Sequence, residues 1–258
     1  MDKKILVTGG SGFLGINMIR YLRRQVRTDI TVIDLLEFDF PERNEINAIQ
    51  GDIRTPEGVH KAMENADWVI HTAAALPLYT KEEVYSTDIE GTRLLMEEAH
   101  RRNIERFIHI SSAAVYGIPD HHPLVEDDPL IGVGPYGIAK IEAEKVCLEY
   151  RARGMCVSII RPKSFVGSER LGVFALFYDW AKDGKNFPMI GNGHNRYQLL
   201  DVGDLCEAIY LCLTKEEAAT NHTFNIGATD FATMREDYQA VLDRSGYGKR
   251  LSAPLPNR

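Results

Sequence analysis

The 258-residue sequence has little cysteine, little basic excess and no long hydrophobic run. Its four cysteines, Cys147, Cys156, Cys206 and Cys212, form no Cys-x-x-Cys pair and have no histidine at zinc-ligand spacing, so they read as buried thiols. A formal charge of -7 leaves no basic footprint for nucleic acid, although "RYLRRQVR" and "RRNIER" are locally basic and read as solvated helix faces and ends. No apolar stretch approaches the roughly 20 residues of a membrane span, and "MDKKILVTGG" enters a strand without a leader pattern. The expectation is a cytoplasmic protein with no membrane or nucleic-acid partner. Of eight histidines only His121 and His122 adjoin, in a Pro-flanked acidic loop that reads as plain surface, so no metal site is expected.

Average hydrophobic and charged fractions, 44% and 26%, describe an ordinary globular chain with a substantial core. "KILVTGG" (4–10) is a short apolar, β-branched run. "GFLGINMIRYLRRQ" (12–25) follows it with Leu14, Met18, Ile19 and Leu22 at helical spacing. Strand-like runs recur in "DITVIDL" (29–35), "ADWVIHTAA" (66–74), "RFIHISS" (106–112) and "CVSIIRP" (156–162), separated by helix-like stretches. Strands apolar on both faces that alternate with helices predict an α/β fold, a Rossmann-type doubly wound parallel sheet. After Pro162 the text turns polar and turn-rich, with helical patterns in "DLCEAIYLCL" (204–213) and "REDYQAVLDR" (235–244), which predicts a smaller C-terminal lobe. The closing "LSAPLPNR" carries two prolines and no closing helix, so the expectation is that the chain stops before that lobe is complete.

Gly9, Gly12 and Gly15 lie between the first strand and the first helix, where glycine lets backbone approach a diphosphate seated on a helix N-terminus. Asp34 ends the second strand 19 residues after Gly15 and is suited to accept hydrogen bonds from ribose hydroxyls. A carboxylate there repels a 2′-phosphate, which predicts NAD rather than NADP. "GDIR" offers Asp52 and Ile53 for the adenine edge, and "HTAAAL" offers Thr72, Ala73 and Ala74 where the cofactor passes close to backbone. Phe13 and Leu14 complete the first turn of the helix. The expected division is an NAD-binding domain over 1–165, to which about 195–227 return, and a substrate-binding lobe over 166–258.

The spacing Tyr-x-x-x-Lys occurs twice, at Tyr136/Lys140 in "PYGIAK" and at Tyr178/Lys182 in "YDWAK". Spacing therefore decides nothing, and context must. Only Tyr136 follows the full strand-helix series, and only it is preceded by a strand-end serine, Ser112 in "ISSAAVYG". A tyrosine that acts as a base near neutrality must lose about three units from its ordinary pKa of 10, or about 4 kcal/mol, which a neighbouring ammonium can supply. Residues four apart on a helix share a face.

Taken in order, "TGGSGFLG", "GDIR", "HTAAA", "SSAAVYG", "PYGIAK" and "RP" followed by Gly167 resemble the extended short-chain dehydrogenase/reductase family, in its nucleotide-sugar epimerase branch. The resemblance implies a Ser112-Tyr136-Lys140 triad and an NAD cofactor that Tyr136 and Lys140 also contact. It further implies a small-molecule substrate such as a UDP-sugar, with Arg196 gripping its diphosphate and Ser164 and Ser112 on the substrate side. Dimerisation through helices near 82–102 and 136–152 is expected on the same ground. Sugar-nucleotide dehydratases of the family carry acids after the strand-end hydroxyl, whereas this chain has Ala113 and Ala114. The expected reaction is therefore 4-epimerisation through a transient ketone, with an NAD-dependent dehydrogenase or reductase of a non-nucleotide alcohol or carbonyl, or a non-catalytic NAD-binding sensor, as the alternatives. Asp88 in "TDIEGT" and Ser164 stand where the family commonly has Asn.

Overall fold

The computed structural model describes residues 3–25, 28–169, 174–185, 187–246 and 251–255. Its chain divides into two compact units, Met1–Pro162 with Gly203–Ile226, and Lys163–Val202 with Gly227–Arg258. The return to the first unit begins at Gly203, later than the sequence pattern indicates, because residues 196–201 pair inside the second unit.

The first unit starts with β1 (Ile5–Thr8), α1 (Phe13–Gln25), β2 (Ile30–Asp34), β3 (Asn47–Gln50), α2 (Pro56–Ala62) and β4 (Trp68–His71). There follow α3 (Lys81–Val84), a π-helical turn (Tyr85–Glu90), α4 (Gly91–Arg101), β5 (Arg106–Ile110), α5 (Gly134–Ala152) and β6 (Val157–Pro162). In the second unit lie β7 (Phe165–Val166), α6 (Phe174–Lys182), β8 (Phe187–Ile190) and β9 (Leu200–Asp201). Helix α7 (Val202–Thr214), α8 (Glu217–Thr220) and β10 (Thr223–Ile226) lead back through the sheet, and α9 (Met234–Ser245) and β11 (Leu251–Leu255) end the second unit.

Seven strands form one sheet in the order β10-β6-β5-β4-β1-β2-β3, and every pairing is parallel. The order reverses beside β1: the chain steps outward from β1 to β2 and β3, then crosses to β4 on its other side. In open parallel sheets ligands bind outside the strands' carboxyl ends at such a switch point. The predicted central strands are all present. The sequence reading missed β3 and β10, the two edges.

Alternation of strand and helix buries both faces of the central strands, as the continuous burial of β1, β4 and β6 shows. Leu14, Met18, Ile19 and Leu22 of α1 are buried as their helical spacing requires. Helices α2, α4 and α5 pack Val59, Leu95, Met96, Val146 and Tyr150 into a core with Leu6, Val69, Phe107 and Val157. All four cysteines are buried, and none is in a disulfide. In the second unit Tyr238 and Met189 centre a smaller core, and the C-terminal segment pairs as β11 with β8.

Candidate active site

The glycine turn is tight for backbone reasons. Gly9 has φ +70°, and a Cβ on it would stand 2.7 Å from the Ala73 backbone. A Cβ on Gly15 would stand 2.2 Å from the Gly9 carbonyl oxygen, so the start of α1 lies against the turn itself. Gly12 donates its N–H to Gly9 O and accepts from Ile16 N. Phe13 and Leu14 open α1, where a helix leaves its first N–H groups without intrahelical acceptors. Asp34 closes the turn from β2: one carboxylate oxygen accepts from Ser11 N at 3.0 Å and the other from Leu36 N at 2.9 Å. Those bonds aim the carboxylate at the glycine turn.

The 72–75 segment meets the turn from β4. Thr72 donates its hydroxyl to Thr8 O, and Ala73 N donates to Thr8 Oγ1. Ala74 is half-buried beside them. Asp52 is already engaged: its carboxylate takes Arg54 N and the Arg54 guanidinium, and that hydrogen bonding holds its pKa below the ordinary carboxylate value. Ile53 is buried, with its side chain against Gly91.

Strand β5 ends at Ile110, and Ser111 and Ser112 diverge there. Ser111 is buried and donates to Glu144 Oε1 at 2.5 Å. Ser112 is half-buried and caps a 3-10 turn (Ala113–Tyr116), its hydroxyl accepting from Ala114 N at 3.1 Å. Of the two serines, Ser112 is therefore the one not committed to the buried charge network. The start of α5 rests on that turn, since a Cβ on Gly137 would lie 2.9 Å from Ala114 O. Tyr136 and Lys140 follow on one face of α5, with Lys140 Nζ 5.7 Å from the Tyr136 ring centroid. Tyr136 packs with Ala75, Val84, Tyr85, Ile89 and Ala139, which ties it to the 72–75 segment.

Lys140 is 3% exposed, donates to Ile110 O at 3.2 Å and lies 3.9 Å from the buried Asp88 carboxylate. Burial works against its charge, but its neighbours, Asp88 first and then Tyr136, Cys147 and Glu144, together hold its pKa above the ordinary lysine value. Asp88 itself is pushed above the ordinary carboxylate value by burial, against the pull of Lys140 and the Ala75 N–H. In the sequence Asp88 is marked only by its departure from the family pattern. Its contact with Lys140 depends on a π-turn that the residue pattern does not display. Reading the sequence also passed over His71 and His109, both fully buried with their rings 5.4 Å apart; a histidine inside each of the β4 and β5 runs was the available signal.

Ser164 and Arg196 belong to the second unit. Tyr197 donates its hydroxyl to Ser164 Oγ at 2.7 Å, while Arg196 donates to Phe231 O and lies over the Phe231 ring at 4.3 Å. Tyr178 and Lys182 lie in α6 of that unit. Among the described residues no group of His, Cys, Asp or Glu could hold a metal ion, and no helix is long and apolar enough to cross a membrane. His121 pairs instead with Asp120 and Asp128 at the surface, and the hydrogen bond to Asp120 raises its pKa.

The residues around the turn fit NAD. The glycine cradle would be filled by a Cβ at Gly9 or Gly15, and the Asp34 carboxylate is tied to that turn through Ser11 N. Over residues 5–227 the chain matches the profile of the NAD dependent epimerase/dehydratase family. The chain belongs to that family. Its cofactor is accordingly NAD. Similar proteins include the uncharacterized protein y4nG of Sinorhizobium fredii, 34% identical over 97% of this chain and 63% of its own length, so that the chain spans less than two thirds of that relative. The dTDP-glucose 4,6-dehydratase of Streptomyces niveus is 29% identical over 99% of this chain and 81% of its own. Among solved structures, a UDP-glucose 4-epimerase of Thermotoga maritima with UDP-glucose superposes with a TM-score of 0.85 at 25% identity, covering 99% of this chain and 86% of that one. Relatives thus include both epimerases and dehydratases.

Proposed function

We propose that the protein is an NAD-dependent nucleotide-sugar 4-epimerase in which Tyr136, Lys140 and Ser112 carry the chemistry. In this reading Tyr136 takes the proton of the sugar 4-hydroxyl, Ser112 shares the hydrogen bond of that oxygen, and Lys140 supplies the positive charge that favours the phenolate. NAD, when bound, would supply a hydride acceptor and donor for that same carbon. Gly9, Gly12, Phe13, Leu14 and Gly15 would seat the diphosphate of the cofactor, Asp34 its ribose, Asp52 and Ile53 its adenine, and Thr72, Ala73 and Ala74 its passage past β4. Ser164 and Arg196 would face the substrate, a UDP-sugar, with Arg196 gripping the diphosphate through its planar fork.

The observation that favours epimerisation over loss of water is the turn after Ser112. Ala113 and Ala114 occupy it, and Ala114 spends its N–H on the Ser112 hydroxyl. Methyl groups there neither donate nor accept the protons that leave with water. Tyr136 and Lys140 stay available for redox at a single carbon.

Incubation with UDP-glucose, UDP-N-acetylglucosamine and UDP-glucuronate, followed by chromatography, should reveal a 4-epimer of at least one without net reduction of NAD. Tyr136→Phe should lower that rate by a factor of about 10² to 10⁴. A 4-keto-6-deoxy product would replace this reading with a dehydratase. No conversion of any of the three by the NAD-loaded protein would count against it.

A further inference from the structure

We propose that Asp88 is a positioning residue for the Tyr136–Lys140 site, its buried carboxylate keeping the Lys140 ammonium charged and held between the end of β5 and the Tyr136 ring. The proposal rests on the epimerase reading only for its consequence in turnover; the charge coupling stands on its own.

The carboxylate sits in an unusual piece of helix. The π-helical turn Tyr85–Glu90 lies between α3 and α4, and a π-turn inserted in a helix re-aims the side chains it carries. Asp88 is 1% exposed there. Its Oδ1 accepts from Ala75 N at 3.0 Å, while its Oδ2 is buried with no hydrogen-bond partner. Thr92 bonds the Asp88 carbonyl at 2.6 Å and so fixes the turn. A buried carboxylate with a bare oxygen is costly unless a cation balances it. Lys140 is that cation.

At 3.9 Å the Lys140 Nζ–Asp88 Oδ1 separation exceeds hydrogen-bond reach, so the pair acts through charge. The direct hydrogen bond of Lys140 goes to Ile110 O instead. The other titratable groups that act on Lys140 are accounted for. From α5 itself come Tyr136, Glu144 and Cys147. Glu144 is committed to Arg161 and Ser111, and burial pushes the Cys147 thiol up, which keeps it neutral. From β4 and β5 come His71 and His109, both held neutral by burial. Among the described residues, Asp88 is then the carboxylate left to balance Lys140. It acts through Lys140 and touches no reacting atom.

Asp88→Asn isolates this charge, because the amide oxygen can keep the Ala75 bond while the negative charge disappears. The full chain, labelled with ¹³C at lysine Cε, is titrated by NMR with the Lys140 signal assigned by its loss in Lys140→Met. In Asp88→Asn the Lys140 midpoint should fall by about one pH unit or more relative to the wild type. With the NAD-loaded protein and its sugar nucleotide, kcat should fall about tenfold near neutrality while KM moves little. An unchanged Lys140 midpoint overturns the proposal whatever the activity. Absence of turnover in the wild type sinks the epimerase reading alone, since the NMR arm still decides the coupling. Should Asp88→Asn fail to fold, the wild type decides: Lys140 must remain an ammonium up to about pH 10, near the ordinary lysine value, and deprotonation well below it overturns the proposal.

Discussion

Two buried imidazoles make the protein sensitive to acid at the scale of single residues. His71 bridges Thr8 and Thr92 through its two ring nitrogens, and burial, with Lys140 adding, holds its pKa down to about 3. His109 has neither ring nitrogen bonded, and burial lowers it as well. A base whose folded pKa is depressed contributes stability that is complete above its unfolded value, near 6.5, and is lost as pH falls towards the folded value. The loss runs at up to about 1.4 kcal/mol per pH unit for each group. Asp88 has the opposite sign: its raised pKa makes protonation in the folded state favourable as pH falls towards the ordinary carboxylate range, which offsets part of the loss. His109→Met should therefore flatten the fall in stability between about pH 6.5 and 5. It should leave stability near neutrality equal or slightly higher, because it removes two unpaired polar atoms. Urea unfolding midpoints at the two pH values measure both effects, and an unaltered slope would contradict the assignment. Of these residues, Gly9, Asp34 and Lys140 declared themselves through motif and spacing. The buried histidines did not, because a histidine within an apolar run does not announce which way it faces.

At the scale of elements, the position of α5 relative to the sheet depends on one buried ion pair. Glu144, one helical turn beyond Lys140 and 1% exposed, takes Arg161 of β6 in two bonds of 2.9 and 2.7 Å and also accepts from Ser111 at the end of β5. Arg161 continues to the Tyr116 hydroxyl, which donates to Asn225 of β10. Helix, two strands and the turn carrying Ser112 are thereby joined by charge-assisted bonds. Glu144→Gln keeps the size of the side chain and leaves the Arg161 guanidinium buried without its counter-charge. The expected loss is about 3–5 kcal/mol of unfolding free energy, read from urea denaturation, and a loss below 1 kcal/mol would show that the helix is held by packing alone. The central strands and α1, α7 and α9 were legible because burial on a defined face leaves a period in the sequence. Edge strands leave none: β3 is exposed at both ends and β10 is half-buried throughout, so "NAIQ" and "TFNI" carry no continuous apolar signature. The π-turn was equally silent, since apolar residues in "EEVYSTDIEGTRLLMEEA" recur at helical spacing with or without one extra residue in the turn.

For the molecule as a whole, the order of motifs from the glycine turn to Pro162 was readable because each motif but "PYGIAK", which opens α5, follows a strand at the same edge of one sheet. The boundary of the returning segment was not, since residues 196–201 make short pairings, Arg196 with Thr233 and β7 with β9, that leave no period. Division into two units has a consequence for cofactor linkage. The residues that fit NAD, from Gly9 to Ala74 together with Tyr136 and Lys140, all lie in the first unit, whereas Ser164, Arg196 and α9 lie in the second. A ligand that binds only the folded state stabilises it by about 2.7 kcal/mol at a hundredfold excess over its Kd. That stabilisation reaches an amide only if its opening breaks the site. Hydrogen exchange with NAD added should therefore slow at residues 9–16, 34–36 and 72–75 and leave α9 unchanged. Protection of α9 equal to that of the glycine turn would mean that the two units open together and that the cofactor senses both. NADP at the same concentration should protect far less, since Asp34 would face its 2′-phosphate; equal protection by the two cofactors would remove Asp34 from ribose recognition.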